Sequence, residues 1–347
     1  MATTRAGEGI DMKRIAATDE GSLNELTKFA ASHSCPSPFQ SGAMFRVYSK
    51  TKGCRPIGFL ARDGEGEILG SISATTFMDA GILVGKIVNH VSCRGGPLFL
   101  PAKEGTTAGR LLLARLIDAA KEKSLYTRIY PMFDQADQQS LLTATGFSRE
   151  DWLNYLVDLS LTEGVLWEKM SKHRRKGIRR AENLGLQMVD AKTTADIDTL
   201  YSLLLMAHEQ AKIPLQDKSL FDAMQRVLVP EGMARLVIAY RGEEPIAARV
   251  VLTFSGIIYD WYAGSAPEAF EAYANEFLVW RLMTWGCKSG YRLFDFGGAG
   301  LPEEEYGPRE FKRRFGGKLV NFGRYTVVHK PKTLKLIQNL NKVRRRF

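Results

Sequence analysis

The sequence predicts two similar α/β domains in tandem, and three observations predict it. A β-hairpin, a further strand, a long helix and a closing strand follow one another twice. The two hairpin turns, at Asp63-Gly64 and Arg241-Gly242, lie about 180 residues apart. At 347 residues, with 45% apolar and 25% charged residues, the chain has the length and composition of two ordinary globular domains. The expected division is 12–160 for the first domain, 161–329 for the second, and a basic helix over 330–347 docked on the first.

In the first copy, residues 1–12 read as a disordered lead-in. A helix over 20–31 stops at the turn-rich stretch from Ser34 to Pro38, and Phe39-Gln40-Ser41 opens a second helix over 42–50. The hairpin follows, with strands 56–62 and 68–75. Strands over 82–90 and 96–100 are joined through Cys93-Arg94-Gly95-Gly96-Pro97. Apolar residues at helical spacing then predict a helix over 108–123. A strand over 125–130, a short helix over 141–145 capped by Gly146, and a strand over 155–159 complete the copy.

The second copy repeats the plan. Helices are expected over 196–210 and 219–228, and hairpin strands over 234–240 and 246–253. An aromatic strand over 257–263 precedes a helix over 274–289 that carries Phe277, Leu278, Trp280, Leu282 and Met283. The strand over 292–296 breaks on Gly297, Gly298 and Gly300. Beyond an acidic turn, Phe311-Lys312 leads to a second glycine pair, Gly316-Gly317. Paired glycines let backbone approach a ligand or another strand, because no Cβ intervenes.

The net charge of +10 is unevenly placed. Residues 1–160 hold 18 Lys/Arg against 17 Asp/Glu, and residues 161–347 hold 30 against 21. Two segments concentrate the surplus, 167–182 with seven basic residues against two acidic, and 330–346 with seven against none. Such concentration favours a polyanionic partner. On the first segment, read as one helix, Trp167, Met170, Ile178 and Ala181 form an apolar stripe opposite Lys169, Lys172, Lys176, Arg179 and Arg180. Arg174 falls on the apolar side, packed by its stem or aimed at an inter-domain site. In the last helix Leu336, Leu340, Val343 and Phe347 share a face.

Several chemistries are excluded by what the chain lacks. It has no phosphate-binding G-x-x-x-x-G-K-[ST] loop, no H-E-x-x-H, no G-x-S-x-G, and its histidines are isolated. Four scattered cysteines without a C-x-x-C argue against a zinc site or a disulfide framework and suit a reducing cytoplasm. No apolar run reaches transmembrane length, and the N-terminus lacks the apolar core of a signal peptide. Neither a metal nor a tightly bound cofactor is expected. Transfer of an activated acyl group to an amine remains, since the amine is itself the nucleophile. The protein then positions the reactants and stabilises an oxyanion, and a lysine beside a glycine-rich turn supplies those needs.

These residues carry a family resemblance. The repeated plan resembles the GNAT acyltransferase fold, and its duplication resembles the Fem family of aminoacyl-tRNA-dependent transferases and the related Fem-like acetyltransferase domains. Phe39-Gln40-Ser41 is similar to the family's F-x-Q-S element and Cys93–Pro97 to its R-G-P turn. Arg175-x-x-Ile178-Arg179-x-Ala181 is similar to its inter-domain helix, and Tyr259-Asp260-Trp261-Tyr262-Ala263-Gly264 to its aromatic strand. Asp295-Phe296-Gly297-Gly298 and Phe311-Lys312-x-x-Phe315-Gly316-Gly317 resemble its closing signature.

The resemblance implies tandem GNAT-like acyl-CoA N-acyltransferase folds. It also implies charged tRNA as donor, acyl-CoA being the alternative, and a nucleotide- or lipid-linked cell-wall precursor as acceptor. By position, Lys312, carried by Phe311, takes the transition-state role, and Arg46 and Lys212 are candidates for phosphate contact. Arg175, Tyr259, Trp261, Asp295, Gly297, Gly298 and Tyr306 are the other candidates for substrate binding. The family's helical tRNA-binding hairpin has no room here. The acyl-CoA signature before each long helix is degraded: residues 104–113 keep only Gly109 of its glycines, and residues 267–275 have none. A non-catalytic protein binding RNA or an anionic membrane surface through the basic segments is the reading from another class.

Overall fold

A computed structural model describes residues 9–78, 89–134 and 136–344. In chain order the elements are β1 (Asp11–Arg14), α1 (Glu20–Ser32), α2 (Gly42–Ser49), β2 (Cys54–Arg62), β3 (Ile68–Phe77), β4 (His90–Arg94), β5 (Leu98–Phe99), α3 (Lys103–Ala120), β6 (Tyr126–Tyr130), α4 (Ala136–Ala144) and β7 (Ser148–Glu150). They continue with β8 (Leu153–Asp158), α5 (Glu163–Lys169), α6 (Lys172–Asn183), β9 (Leu186–Asp190), α7 (Thr194–Gln210), α8 (Ser219–Val227), β10 (Ala234–Arg241), β11 (Glu244–Phe254), β12 (Ile257–Ser265), α9 (Ala274–Lys288), β13 (Leu293–Gly298), α10 (Gly307–Arg313), β14 (Lys318–Asn321), β15 (Arg324–Val328) and α11 (Pro331–Arg344).

The chain forms two compact units, Asp151–Asn321 being one and the flanking segments together the other. Each unit holds a mixed sheet built on the predicted plan. In the flanking unit the β2–β3 hairpin is extended by β4, the chain crosses through α3, and β6 returns parallel to β4. In the other, the β10–β11 hairpin is extended by β12, the chain crosses through α9, and β13 returns parallel to β12. The long helices bury their apolar faces: Leu112, Leu113 and Leu116 of α3 pack with Phe59, Ile72 and Ile129, and Phe277, Leu278, Leu282 and Met283 of α9 with Val237, Val251 and Phe294.

The boundaries depart from a sequential split. β8 pairs with β13 and β14, inside the second sheet, although the repeat places residues up to 160 in the first domain. β15 pairs with β6 and β7, in the first sheet, although the repeat places residues up to 329 in the second domain. Each sheet therefore takes one strand from beyond its own repeat. A strand's local pattern specifies its faces but not its partner, so the sequence cannot assign it.

Smaller departures have local causes. The expected disordered lead-in ends in β1, whose Asp11 and Met12 pair with Arg62 and Ala61. The strand expected over 96–100 reduces to Leu98–Phe99, and β7 is an unforeseen edge strand. Of the strand expected over 82–90, His90 opens β4; residues 79–88 lie outside the described residues. The basic segment is two helices rather than one. Met170 is extended at ψ 149°, and the Ser171 Oγ accepts from the Arg174 N–H at 3.3 Å to start α6. The stripe nonetheless holds: Met170, Ile178 and Ala181 are buried, and Trp167 packs on Trp280. In α11, Leu336 is exposed rather than docked. Leu340, Val343 and Phe347 lie outside the described side chains.

Two of the resemblance motifs interlock in the flanking unit. Buried Gln40 donates to the carbonyls of Ser73 and Arg94 at 2.8 and 2.9 Å and accepts from the Ser73 N–H at 2.8 Å. A Cβ on Gly96 would stand 2.6 Å from the Gln40 amide. Ser41 caps α2 through the Met44 N–H. Both motifs thus brace the sheet, which accounts for their residue types without a ligand.

Candidate active site

The second unit opens where β12 and β13 part. Their parallel pairing covers only Ile257–Tyr259 against Leu293–Asp295. β12 also carries a bulge: Val250 opposes Tyr262 and Val251 opposes Asp260, so Trp261 is the extra residue. The cleft between the strands has a volume of about 400 Å³. Residues 260–265 of β12, Phe296 of β13, and Gly307, Pro308, Phe311 and Lys312 of α10 line it, with Arg249, Asn275 and Ala207.

Lys312 reaches the glycine turn at the end of β13. Its Nζ donates to the Gly298 carbonyl at 2.6 Å and to the Gly297 carbonyl at 3.3 Å. The turn exists because Gly297 takes φ +67° and because the buried Asp295 Oδ1 accepts the Gly297 N–H at 2.7 Å. Asn154 of β8 also donates to that oxygen at 2.7 Å. Gly298 lies against the Trp152 indole, where a Cβ would overlap Nε1. Two of the three ammonium N–H groups are thus used, and one is left for a substrate.

The electrostatics follow from burial. Desolvation pushes the Lys312 ammonium down from 10.5 to about 8, against the pull of the Asp260 and Asp295 carboxylates, while Arg249 adds to the depression. Asp295 is pushed up by burial, opposed by its hydrogen bonds from Asn154 and Gly297 and by the charge of Lys312. Beside Lys312, buried Arg249 donates to the Asp260 Oδ2 at 2.5 Å, and Asp260 Oδ1 is buried without a partner. Arg249 also reaches Asn275, which donates to the Ser265 Oγ at 3.1 Å.

A second buried cation sets the position of α10. The Arg174 guanidinium pairs with Glu276 of α9, donates to the Phe311 carbonyl at 3.1 Å, and lies 4.3 Å over the Phe311 ring. It is packed inside its own unit, which decides between the two expectations for it. Arg309 donates to the carbonyls of Ala299, Leu301, Pro302 and Glu304. The acidic turn is therefore held by its backbone, with the Glu303–Glu305 side chains exposed. Gly316, at φ +79°, and Gly317 let backbone pass: a Cβ would stand 2.5 Å from the Lys169 carbonyl or 2.8 Å from that of Leu156.

The structure thus gathers Lys312, Phe311 and Trp261 on the cleft wall, with Asp295, Gly297 and Gly298 beneath. Tyr306 packs over Gly300 and lines a neighbouring hollow with the acidic turn. The other four expected site residues stand apart from this group. Tyr259 is buried and lies outside the cleft lining. Arg175 pairs with Glu168 at 2.6 Å. Lys212 is exposed in the left-handed turn after α7. Arg46 belongs to the other unit and pairs with Glu20 at 3.1 Å.

Sequence reasoning missed Arg249, Asp260, Asn275 and Asn154. A signal existed for the first two, since each interrupts an apolar strand and a buried charge needs a partner. Among the described residues no group of three or more His, Cys, Asp or Glu side chains could hold a metal, and no helix is long and apolar enough to cross a membrane.

Both crossover helices carry a carboxylate in the first turn, Glu104 in α3 and Glu276 in α9. In α3, Gly109 is filled by packing, a Cβ there standing 2.8 Å from the Phe99 ring and 2.9 Å from Leu141. In α9, Tyr273 precedes the helix in the left-handed conformation, and the first turn carries Glu276, committed to Arg174. A carboxylate already stands where the helix dipole would favour an anion.

A model of the acetyltransferase (GNAT) domain matches residues 168–313, which include Lys312. Comparison with curated proteins finds no match. Among solved structures, FemX superposes with a TM-score of 0.67 at 14% identity, over 94% of this chain and 99% of that one. A tandem GNAT protein from the clavulanic acid biosynthesis pathway gives 0.61 at 13% identity, over 92% and 98%. L-PGS from Bacillus licheniformis gives 0.55 at 17% identity, over 91% and 96%. The chain shares the tandem GNAT-like fold of these proteins.

Proposed function

We propose, starting from a tandem GNAT acyltransferase fold with a half-buried lysine in the cleft of its second unit, that the chain forms an amide on an amine of a cell-envelope precursor. The donor is an aminoacyl or acyl group esterified to tRNA, and the acceptor is a nucleotide- or lipid-linked muramyl peptide. One observation carries the reading: Lys312 holds two carbonyls of the Asp295–Gly298 turn and keeps a third N–H for the cleft.

The acceptor amine attacks the acyl carbonyl carbon, and the oxyanion that develops takes the free Lys312 N–H. The new C–N bond forms, the ester C–O bond breaks, and the amine's proton leaves with the ribose hydroxyl. A lysine lowered to about 8 is still protonated at neutral pH and is a stronger hydrogen-bond donor than an ordinary one. The occupied N-terminus of α9 supports a donor other than a CoA thioester.

The acyl-CoA reading keeps one argument, since the parting of β12 and β13 leaves room for any extended donor. The test is a donor screen with one acceptor, charged tRNA against acyl-CoA, reading amide product by mass. Product from charged tRNA that disappears with Lys312→Ala supports the proposal. Product from acyl-CoA alone replaces the donor, and product from neither, with intact folding, sinks the transferase reading.

A further inference from the structure

We propose that the second unit rests on an anionic lipid bilayer through helix α6 and the turn 267–273, so that the acceptor is the lipid-linked form; the choice of acceptor rests on the reading above, the docking does not. Arg174, Gly177, Ile178 and Ala181 of α6 are buried. On the other arc Lys172, His173, Lys176, Arg179 and Arg180 are exposed. None of Lys172, Lys176, Arg179 and Arg180 is in an ion pair among the described residues. Four basic side chains on an outward helix face suit a plane of phosphates.

Aromatic side chains border that arc. The Arg179 guanidinium lies 5.3 Å from the Trp167 ring centre, and Arg180 lies 6.0 Å from that of Tyr273. The Tyr273 ring rests on Gly177, where a Cβ would overlap it, and the Tyr273 backbone N–H donates to the Phe270 carbonyl at 3.2 Å. Phe270 is 85% exposed, the most exposed large apolar side chain among the described residues. Burying a phenyl ring in the interface while lysine and arginine stay at headgroup level fits a bilayer.

Glu268 and Glu271 decide between a bilayer and RNA. Both are exposed in the same turn as Phe270. A nucleotide base stacked on Phe270 would hold its own phosphates beside two carboxylates. Lipids exchange laterally, so neutral headgroups can face the carboxylates while anionic ones gather under α6.

The experiment is sedimentation of the full chain with phosphatidylcholine vesicles, with and without phosphatidylglycerol. We expect binding to the anionic vesicles only. Phe270→Ala should weaken it about tenfold, and Lys176→Glu with Arg179→Glu and Arg180→Glu about a hundredfold or more. Lys176→Glu alone, the mildest change, should weaken it about fivefold or more. Lys312→Ala should bind like the wild type, which separates a failure of docking from a failure of the transfer chemistry. Equal binding to neutral vesicles, no binding, or binding indifferent to these substitutions overturns the proposal. So does tRNA binding through the same residues without vesicle binding.

Discussion

Arg174 donates a 3.1 Å hydrogen bond to the carbonyl of Phe311, the residue immediately before Lys312. One buried guanidinium thereby joins α6, the first turn of α9 through Glu276, and the helix that carries the catalytic candidate. Arg174→Leu should destabilise the protein by about 3–5 kcal/mol, because it leaves Glu276 largely buried without its counter-charge. Arg174→Leu combined with Glu276→Leu should recover much of that loss in urea unfolding, yet still lower turnover by releasing Phe311. Full activity in the double variant would show that Arg174 serves packing alone.

Lys312→Ala should lower turnover on the order of 10² or more, as for removal of an oxyanion donor. The fold should not suffer. In the folded protein Lys312 is lowered to about 8, against 10.5 unfolded. Between these values the unfolded chain holds a proton that the folded chain does not, so this residue's contribution to stability rises with pH. At pH 7 the ammonium is a net cost, on the order of 1 kcal/mol after solvent screening. Lys312→Met should therefore be inactive and slightly more stable at pH 7, with the advantage fading towards pH 10.5. A less stable Met variant at pH 7 would contradict the burial argument.

Activity should fall as pH rises through about 8, where Lys312 loses its proton. Asp260 and Asp295 both hold that value up. Asp295→Asn keeps the side chain's shape and removes the charge, so the alkaline limb of kcat/KM should move towards lower pH. An unmoved limb would assign it to another group.

Gly298→Ala places a Cβ on the Trp152 indole. We expect a loss of about 1–3 kcal/mol from overpacking. Displacing the Gly298 carbonyl also releases Lys312, so kcat should fall more than KM rises. The two effects separate by measuring kinetics well below the melting temperature.

Much of this was legible in order along the chain. The hairpins, α3, α9 and the apolar face of α9 follow from periodicity and turn residues, and the Asp295–Gly298 and Phe311-Lys312 elements do meet. Arg174 was legible only as an anomaly, a charge on an apolar stripe. Its partners lie 102 and 137 residues away, so nothing local could name them. Arg46, Arg175 and Lys212 show the converse: their residue type invites a phosphate, but two are in ion pairs and the third projects from an exposed turn.

By itself the sequence determined the doubled plan, the helices and strands within each copy, and the lysine next to a glycine turn, because period, turn chemistry and local steric freedom are written residue by residue. Tertiary structure alone decided which sheet receives β8 and β15, that β12 and β13 part to open a cleft, and that Asp260, Arg249 and Asp295 surround Lys312. Those outcomes rest on pairing between distant segments and on the desolvation of charges that such pairing brings together, and neither quantity exists before the chain has folded.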